Sequence, residues 1–302
     1  MGGDILNEIE MFNVAEQMRT CVFLFNAKYH RQEINHSQEA VSLLRDIYQI
    51  GMSDKDYWNN MGIKLEIIDA LAGELAKAIL EKNWVYVYDK LNVDVTHLLI
   101  AIFETLFTKS AVLLENWIWE ENRAALRERY PAIEKQLEKM TDDYEKDKPF
   151  IRSYGLRGKV VCRKKERMEY DLFSSYDPAM VGMQIEQKLE LENYDKLYVW
   201  GFNGGFELTN PYVMHRHEET PMEIYVGDMT EFKRILRHSY RKGFILSPVV
   251  EWKFNYTLRD FFNHIDLAQK DNSYIYLTEY SEEELPYIRD FINKNSLKSN
   301  IG

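Results

Sequence analysis

Leu197-Tyr-Val-Trp-Gly201-Phe-Asn-Gly204-Gly205-Phe-Glu-Leu208 is the stretch on which the fold turns. Four apolar residues run into a glycine cluster, the pattern of a buried strand that ends in a tight turn. Glycine lets the backbone adopt positive φ and approach a ligand closely. A helix after such a turn presents free N–H groups and a partial positive charge to a phosphate. The next strand-like segment, Glu223–Val226, ends at Gly227-Asp228. Asp228 stands where an acid accepts hydrogen bonds from a ribose in dinucleotide-binding folds. Gly201, Asn203, Gly204, Gly205 and Asp228 are therefore the candidate contacts for a nucleotide-like ligand. The spacing is G-x-x-G-G rather than G-x-G-x-x-G, and tight turns also use glycine for purely steric reasons. The residues alone leave a nucleotide site and a structural turn both open.

Outward from this turn, strand and helix patterns alternate. Lys196–Trp200, Glu223–Val226, Gly243–Leu246 and Ser273–Leu277 read as strands. Ala179–Leu191, Thr230–His238, Leu258–Ile265 and Ser281–Asn293 read as helices, the first opened by Asp177-Pro178 and the last by Ser281 as N-cap. Such alternation predicts a parallel or mixed sheet covered by helices, a Rossmann-like α/β domain. Just upstream, Lys159–Cys162 and Met168–Phe173 read as a small separate sheet.

The first half has a different texture. It holds no proline before Pro131, and it carries a charge of −9 over residues 1–150 against −2 over the rest, which together make the −11 of the chain. Ile63, Ile67, Ala70, Leu71, Leu75, Ala78 and Ile79 recur at three- and four-residue steps, one face of an amphipathic helix. Similar stripes run through Val41–Ile50 and Leu98–Leu114. Four or five helices packed as a bundle are expected up to about residue 140. Trp84-Val-Tyr-Val-Tyr88 reads as aromatic packing within that bundle, and Trp117 and Trp119 as anchors of its last helix. The charged stretch 141–149, ending in Pro149, is the expected linker. The predicted organisation is a helical bundle over residues 1–145 and a Rossmann-like domain over 146–302.

Composition bounds the function. A chain of 302 residues with 45% hydrophobic and 29% charged residues has a globular make-up, not that of a disordered chain. A net charge of −11 argues against general nucleic-acid binding, which needs clustered Lys and Arg. Cys21 and Cys162 cannot form a disulfide framework and read as reduced thiols. The N-terminus lacks the basic and apolar regions of a signal peptide. The most apolar run, Val95–Phe103, falls well short of the ~20 residues of a spanning helix. A cytoplasmic protein without a membrane span is expected.

Four ordered motifs carry a resemblance. Glu121-Asn122-Arg123-Ala124-Ala125-Leu126 with Arg129-Tyr130-Pro131 comes first, then Ser174-Ser175-Tyr176-Asp177-Pro178. Strand Leu197–Trp200 with Gly201-Phe202-Asn203-Gly204-Gly205-Phe206 follows, and then Ile224–Phe232 with Gly227-Asp228. In this order they resemble the motility accessory factor family of flagellin glycosyltransferases, over about residues 115–280. The resemblance adds Ser175 to the candidate ligand contacts. It implies a nucleotide or nucleotide sugar as ligand, and flagellin or glycosylation enzymes as partners. That family attaches nonulosonic sugars to flagellin Ser and Thr residues through a sugar-transfer domain that lies after this region. A chain ending at Gly302 has no room for it, so a degenerate or non-catalytic member is expected. Three positions depart from the family pattern: Asn203 replaces its middle glycine, Phe206 its tyrosine and Gly227 a glutamate.

The remaining constellations read as structure. His215-x-His217 with Glu218 and Glu219, between Pro211 and Pro221, reads as a polar loop, not a metal site. Arg163-Lys164-Lys165 with Arg167 reads as an exposed hairpin tip. Three functions stay open: a glycosylation component, a small transferase binding a nucleotide or S-adenosylmethionine, and a helical interaction module on a passive α/β scaffold.

Overall fold

A computed structural model of the chain describes residues 5–29, 36–109, 111–141, 150–154, 158–165, 168–171, 193–202, 208, 221–278 and 280–301. The chain divides into two compact units, residues 1–114 with 153–158, and residues 115–152 with 159–302.

The first unit is helical. Its helices are α1 (Ile5–Tyr29), α2 (His36–Ser53), α3 (Lys55–Asn60), α4 (Leu65–Leu80), α5 (Trp84–Lys90) and α6 (Thr96–Lys109), with a π-helical turn at Leu91–Val95. Helices α1 and α2, α2 and α4, and α1 and α6 pack together. Met11, Phe12, Ala15, Met18 and Phe25 of α1 and Ala40, Leu44 and Ile47 of α2 are buried in the core. Each such large side chain contributes about 2 kcal/mol of apolar burial. More and shorter helices form than the stripes predicted, because the chain carries restart signals. Asp54 accepts from the Tyr57 N–H and Asn83 from the Tyr86 N–H, so each caps a new helix. Trp84-Val-Tyr-Val-Tyr88 is helical as expected, yet only Val87 of it is fully buried. Cys21 is buried, with its thiol against the His36 carbonyl, and burial pushes its pKa up to about 12.

The stripe predicted for α4 is rotated. Its core face is Leu65, Ile68, Leu71, Ala72, Leu75 and Ala78, whereas Ile67 is 59% exposed.

The second unit is α/β. It begins inside helix α7 (Ala111–Arg129), at Glu115, and includes α8 (Pro131–Lys139). The division therefore lies well before the compositional break near residue 145. Further along the chain, with residues 153–158 counted to the first unit, a three-stranded sheet is formed by β1 (Phe150–Tyr154), β2 (Gly158–Lys165) and β3 (Met168–Asp171), in that order. Strands β2 and β3 are antiparallel, with Lys165 opposite Met168. The basic run Arg163–Lys165 is thus strand leading into the hairpin.

The main sheet has five parallel strands. They are β4 (Lys196–Trp200), β5 (Met222–Val226), β6 (Val250–Phe254), β7 (Ser273–Leu277) and β8 (Lys298–Ser299), in the order β6-β5-β4-β7-β8. Between them lie helices α9 (Met229–His238), α10 (Lys242–Leu246), α11 (Leu258–His264) and α12 (Leu285–Asn295). Strand β7 is buried at every position and β4 at its last four, the signature of central strands covered on both faces. One face packs Tyr198, Trp200, Tyr225, Ile275 and Leu277 against Phe261 and Phe262 of α11 and Ile288 and Ile292 of α12.

Three local expectations are corrected. Gly243–Leu246 is helix α10, and the third strand is Val250–Phe254 beyond Pro248. Ser281 caps a turn, its hydroxyl accepting the Glu284 N–H while the Glu284 carboxylate accepts the Ser281 N–H; the helix starts later, at Leu285-Pro286. Trp117 and Trp119 do not anchor the bundle: Trp117 stacks on Tyr240 at 5.2 Å, and Trp119 lies among Arg123, Lys233 and Arg237 of its own α/β unit. Among the described residues, no single helix is long and apolar enough to cross a membrane.

Candidate functional site

Strand β4 lies at the centre of its sheet. The chain goes from β4 to β5 and β6 on one side, then crosses to β7 and β8 on the other. That crossover makes the carboxyl ends of β4 and β7 the topological switch point, where loops diverge in opposite directions and open α/β sheets bind ligands.

Gly201 sits at this point, directly after β4, with φ +86°. A side chain there would be strained, so glycine is required by the backbone itself. Its N–H donates to the Tyr225 carbonyl at 2.9 Å, which continues the β4–β5 ladder one step. Phe202 then turns down into an aromatic cluster, its ring 4.9 Å from Trp252 and 5.7 Å from Phe232. On the other side Thr278, just past β7, donates both its N–H and its hydroxyl to the Trp200 carbonyl, at 2.9 and 3.1 Å. Strands β4 and β7 are thereby tied together at their carboxyl ends. Sequence reading did not single out Thr278. The signal was present as a hydroxyl residue immediately after an apolar strand.

Asp228 lies past the end of β5 and is the N-cap of α9. Its Oδ1 accepts the N–H of Thr230 at 2.9 Å and of Glu231 at 3.0 Å. Its placement after the second strand agrees with the expectation, and the duty these bonds show is structural, the capping of α9. Gly227 before it has no room for a side chain. A Cβ there would stand 2.9 Å from the Trp200 ring and 3.1 Å from the Tyr256 carbonyl. The indole of Trp200 occupies the space that a glutamate stem would need. Gly201 and Asp228 thus lie at the carboxyl ends of neighbouring strands. Ser175, Asn203, Gly204, Gly205 and the segment His215–Glu219 lie outside the described residues, as does the helix expected after Asp177-Pro178.

The charged cluster of the sheet lies at the opposite end of the strands. Lys196 Nζ is 2.6 Å from Glu223 Oε1, and the Tyr225 hydroxyl donates to Glu223 Oε2 at 2.6 Å. Burial pushes the Glu223 carboxyl up, but the bonds from Lys196 and Tyr225 outweigh it and hold the group below its ordinary range. Burial and the Glu223 carboxylate keep the Tyr225 phenol protonated far into the alkaline range. The three groups satisfy one another, so they stabilise the sheet and offer no nucleophile. Among the described residues, no group of three or more His, Cys, Asp or Glu side chains is placed to hold a metal ion.

The motif around Asn122 has a physical role that its sequence did not disclose. Asn122 is fully buried; its amide donates to the carbonyls of Leu236 and Ser239, and its oxygen accepts the Arg241 N–H. Arg129 donates to the carbonyls of Ile245 and Ser247, and the Tyr130 hydroxyl accepts the Trp252 N–H. The corner from α7 to α8 therefore caps the C-terminal ends of α9 and α10 and covers the β6 edge.

Compared with protein-family models, curated proteins and solved structures, the chain matches none.

Proposed function

We propose that the α/β unit binds a nucleotide-type ligand, such as a nucleotide sugar, at the carboxyl ends of β4 and β7. We further propose that the chain is a cytoplasmic component of flagellin or surface-protein glycosylation, related to motility accessory factors. One observation carries the ligand reading: Gly201, at φ +86°, ends the central strand at the switch point of a five-stranded parallel sheet. The glycosylation reading rests on the ordered motifs alone. A small transferase using S-adenosylmethionine would draw on the same crevice and is separated by its ligand.

Calorimetric titration with CMP, CMP-linked sugars and S-adenosylmethionine tests the site. Binding of a CMP compound, lost in Gly205→Val, is the expected result. Heat from none of the ligands, or heat unchanged by the substitution, removes the site. Preference for S-adenosylmethionine replaces the glycosylation reading with the transferase one. Retention of flagellin or a glycosylation enzyme on the immobilised chain is expected, and its failure removes the partner assignment.

A further inference from the structure

At the carboxyl edge of the main sheet, hydrogen bonding runs one step past the strands, and two side chains complete it. The peptide group between Trp200 and Gly201 is held on both sides. Its N–H donates to the Tyr225 carbonyl at 2.9 Å. Its carbonyl accepts the Thr278 N–H at 2.9 Å and the Thr278 hydroxyl at 3.1 Å. The peptide group between Leu277 and Thr278 is held in the same way. Its N–H is the one given to Trp200, and its carbonyl accepts the Asn300 amide at 2.9 Å. The Asn300 oxygen in turn accepts the Leu277 N–H at 2.9 Å. A chain of bonds therefore passes from the end of β8 through the end of β7 to the end of β4.

The arrangement matters because glycine does not fix its own backbone. It populates positive and negative φ about equally. The φ of +86° at Gly201 is therefore set by whatever holds the peptide groups around it. Two of the three bonds on the Trp200–Gly201 group come from main-chain N–H groups, which every residue except proline supplies. The third comes from the Thr278 side chain. Trp200 is buried, and water replaces a lost bond poorly at a buried group. On the far side of Gly201, Phe202 is anchored by its ring against Trp252 and Phe232. The chain thus leaves the sheet between one polar tie and one apolar anchor.

We propose that Thr278 is a positioning residue for the ligand site. Its hydroxyl fixes the Trp200–Gly201 peptide group, so that the glycine turn is set before a nucleotide-type ligand arrives. This role rests on the nucleotide site proposed above. Thr278 acts through the turn and not by touching the ligand. A turn already ordered spares the ligand part of the cost of ordering it.

The test compares the full-length chain with two variants. Thr278→Val keeps the shape and the N–H bond and removes the hydroxyl; Thr278→Ser restores it. Calorimetry measures binding of CMP and of S-adenosylmethionine. Hydrogen–deuterium exchange followed by mass spectrometry reads the peptide that contains Gly201. In Thr278→Val, exchange in that peptide is expected to speed about fivefold and affinity to fall about fivefold, the factor equivalent to one ordinary hydrogen bond. Thr278→Ser is expected to match the wild type in both. A merely structural role would lower the urea midpoint of Thr278→Val and leave its affinity at the wild-type value. Unchanged exchange in Thr278→Val, or faster exchange with unchanged affinity, overturns the positioning role while the ligand reading stands. Binding by Thr278→Ser as weak as by Thr278→Val overturns it too. Heat from neither ligand in the wild type removes the ligand reading itself, and the positioning role with it.

Discussion

Glu223 shows how a single carboxylate is kept charged in a protein interior. Its two oxygens take one bond each from Lys196 and Tyr225, at 2.6 Å. Its folded pKa lies below the unfolded one, so its contribution is present above the ordinary carboxylate range and disappears as pH falls through the folded value. At neutral pH, Glu223→Gln is expected to lower stability by about 2 kcal/mol, the scale of hydrogen bonds to a charged group. Urea unfolding of both proteins from pH 7 down to pH ~3 checks the sign, because the difference should shrink as the wild-type carboxyl protonates near and below its ordinary value. A gap that stays constant across this range would show that shape, not charge, is what the position supplies. The residue scale was partly legible in sequence. Gly201 and Asp228 could be singled out because their roles follow from the local backbone. Gly227 could not, since the reason for it is the Trp200 ring arriving from the neighbouring strand.

Helices end with unpaired carbonyls, and the α/β unit meets two such ends with side chains from one distant helix. Asn122 of α7 takes the last carbonyls of α9, and Arg129 takes those of α10. Asn122→Ala leaves the Leu236 and Ser239 carbonyls and the Arg241 N–H without this partner. Leaving such groups unmet costs about 1–3 kcal/mol each. A loss of about 3 kcal/mol is expected after partial relaxation, read as a fall in the urea midpoint. Asn122→Asp should be no better, because a carboxylate would face two carbonyls. If Asn122→Ala unfolds with the wild-type midpoint, the clasp is not what holds α7 to α9. Elements with a strong local signal were read correctly from sequence: β4 and β7 match their expected bounds. Gly243–Leu246 was misread because four apolar-rich residues fit either a strand or a helical turn, and only the place of Val250–Phe254 beside β5 decides between them.

At the scale of the chain, the compositional break and the structural division separate. Charge and proline usage change near residue 145, yet the α/β unit takes in the chain from Glu115. The reason is the work done by the α7–α8 corner. It supplies Asn122, Arg129 and Tyr130 to helix ends and a sheet edge, and buries Leu126 and Leu137. A fragment of residues 115–302 is therefore expected to unfold cooperatively, and a fragment of residues 146–302 to lack a cooperative transition. Thermal melts by circular dichroism distinguish the two, and a cooperative 146–302 fragment would restore the division read from composition.

The sequence by itself determined the class of each half. Three- and four-residue apolar steps make amphipathic helices, and short apolar runs alternating with them make a parallel sheet, whatever the surroundings. Only the tertiary structure decided which apolar face of α4 is core, where the second unit begins, and that β4 is the central strand at a switch point. Those outcomes depend on partners far away in the chain. A local pattern records that a residue is apolar or can cap a helix, and it carries no information about which distant surface will use it.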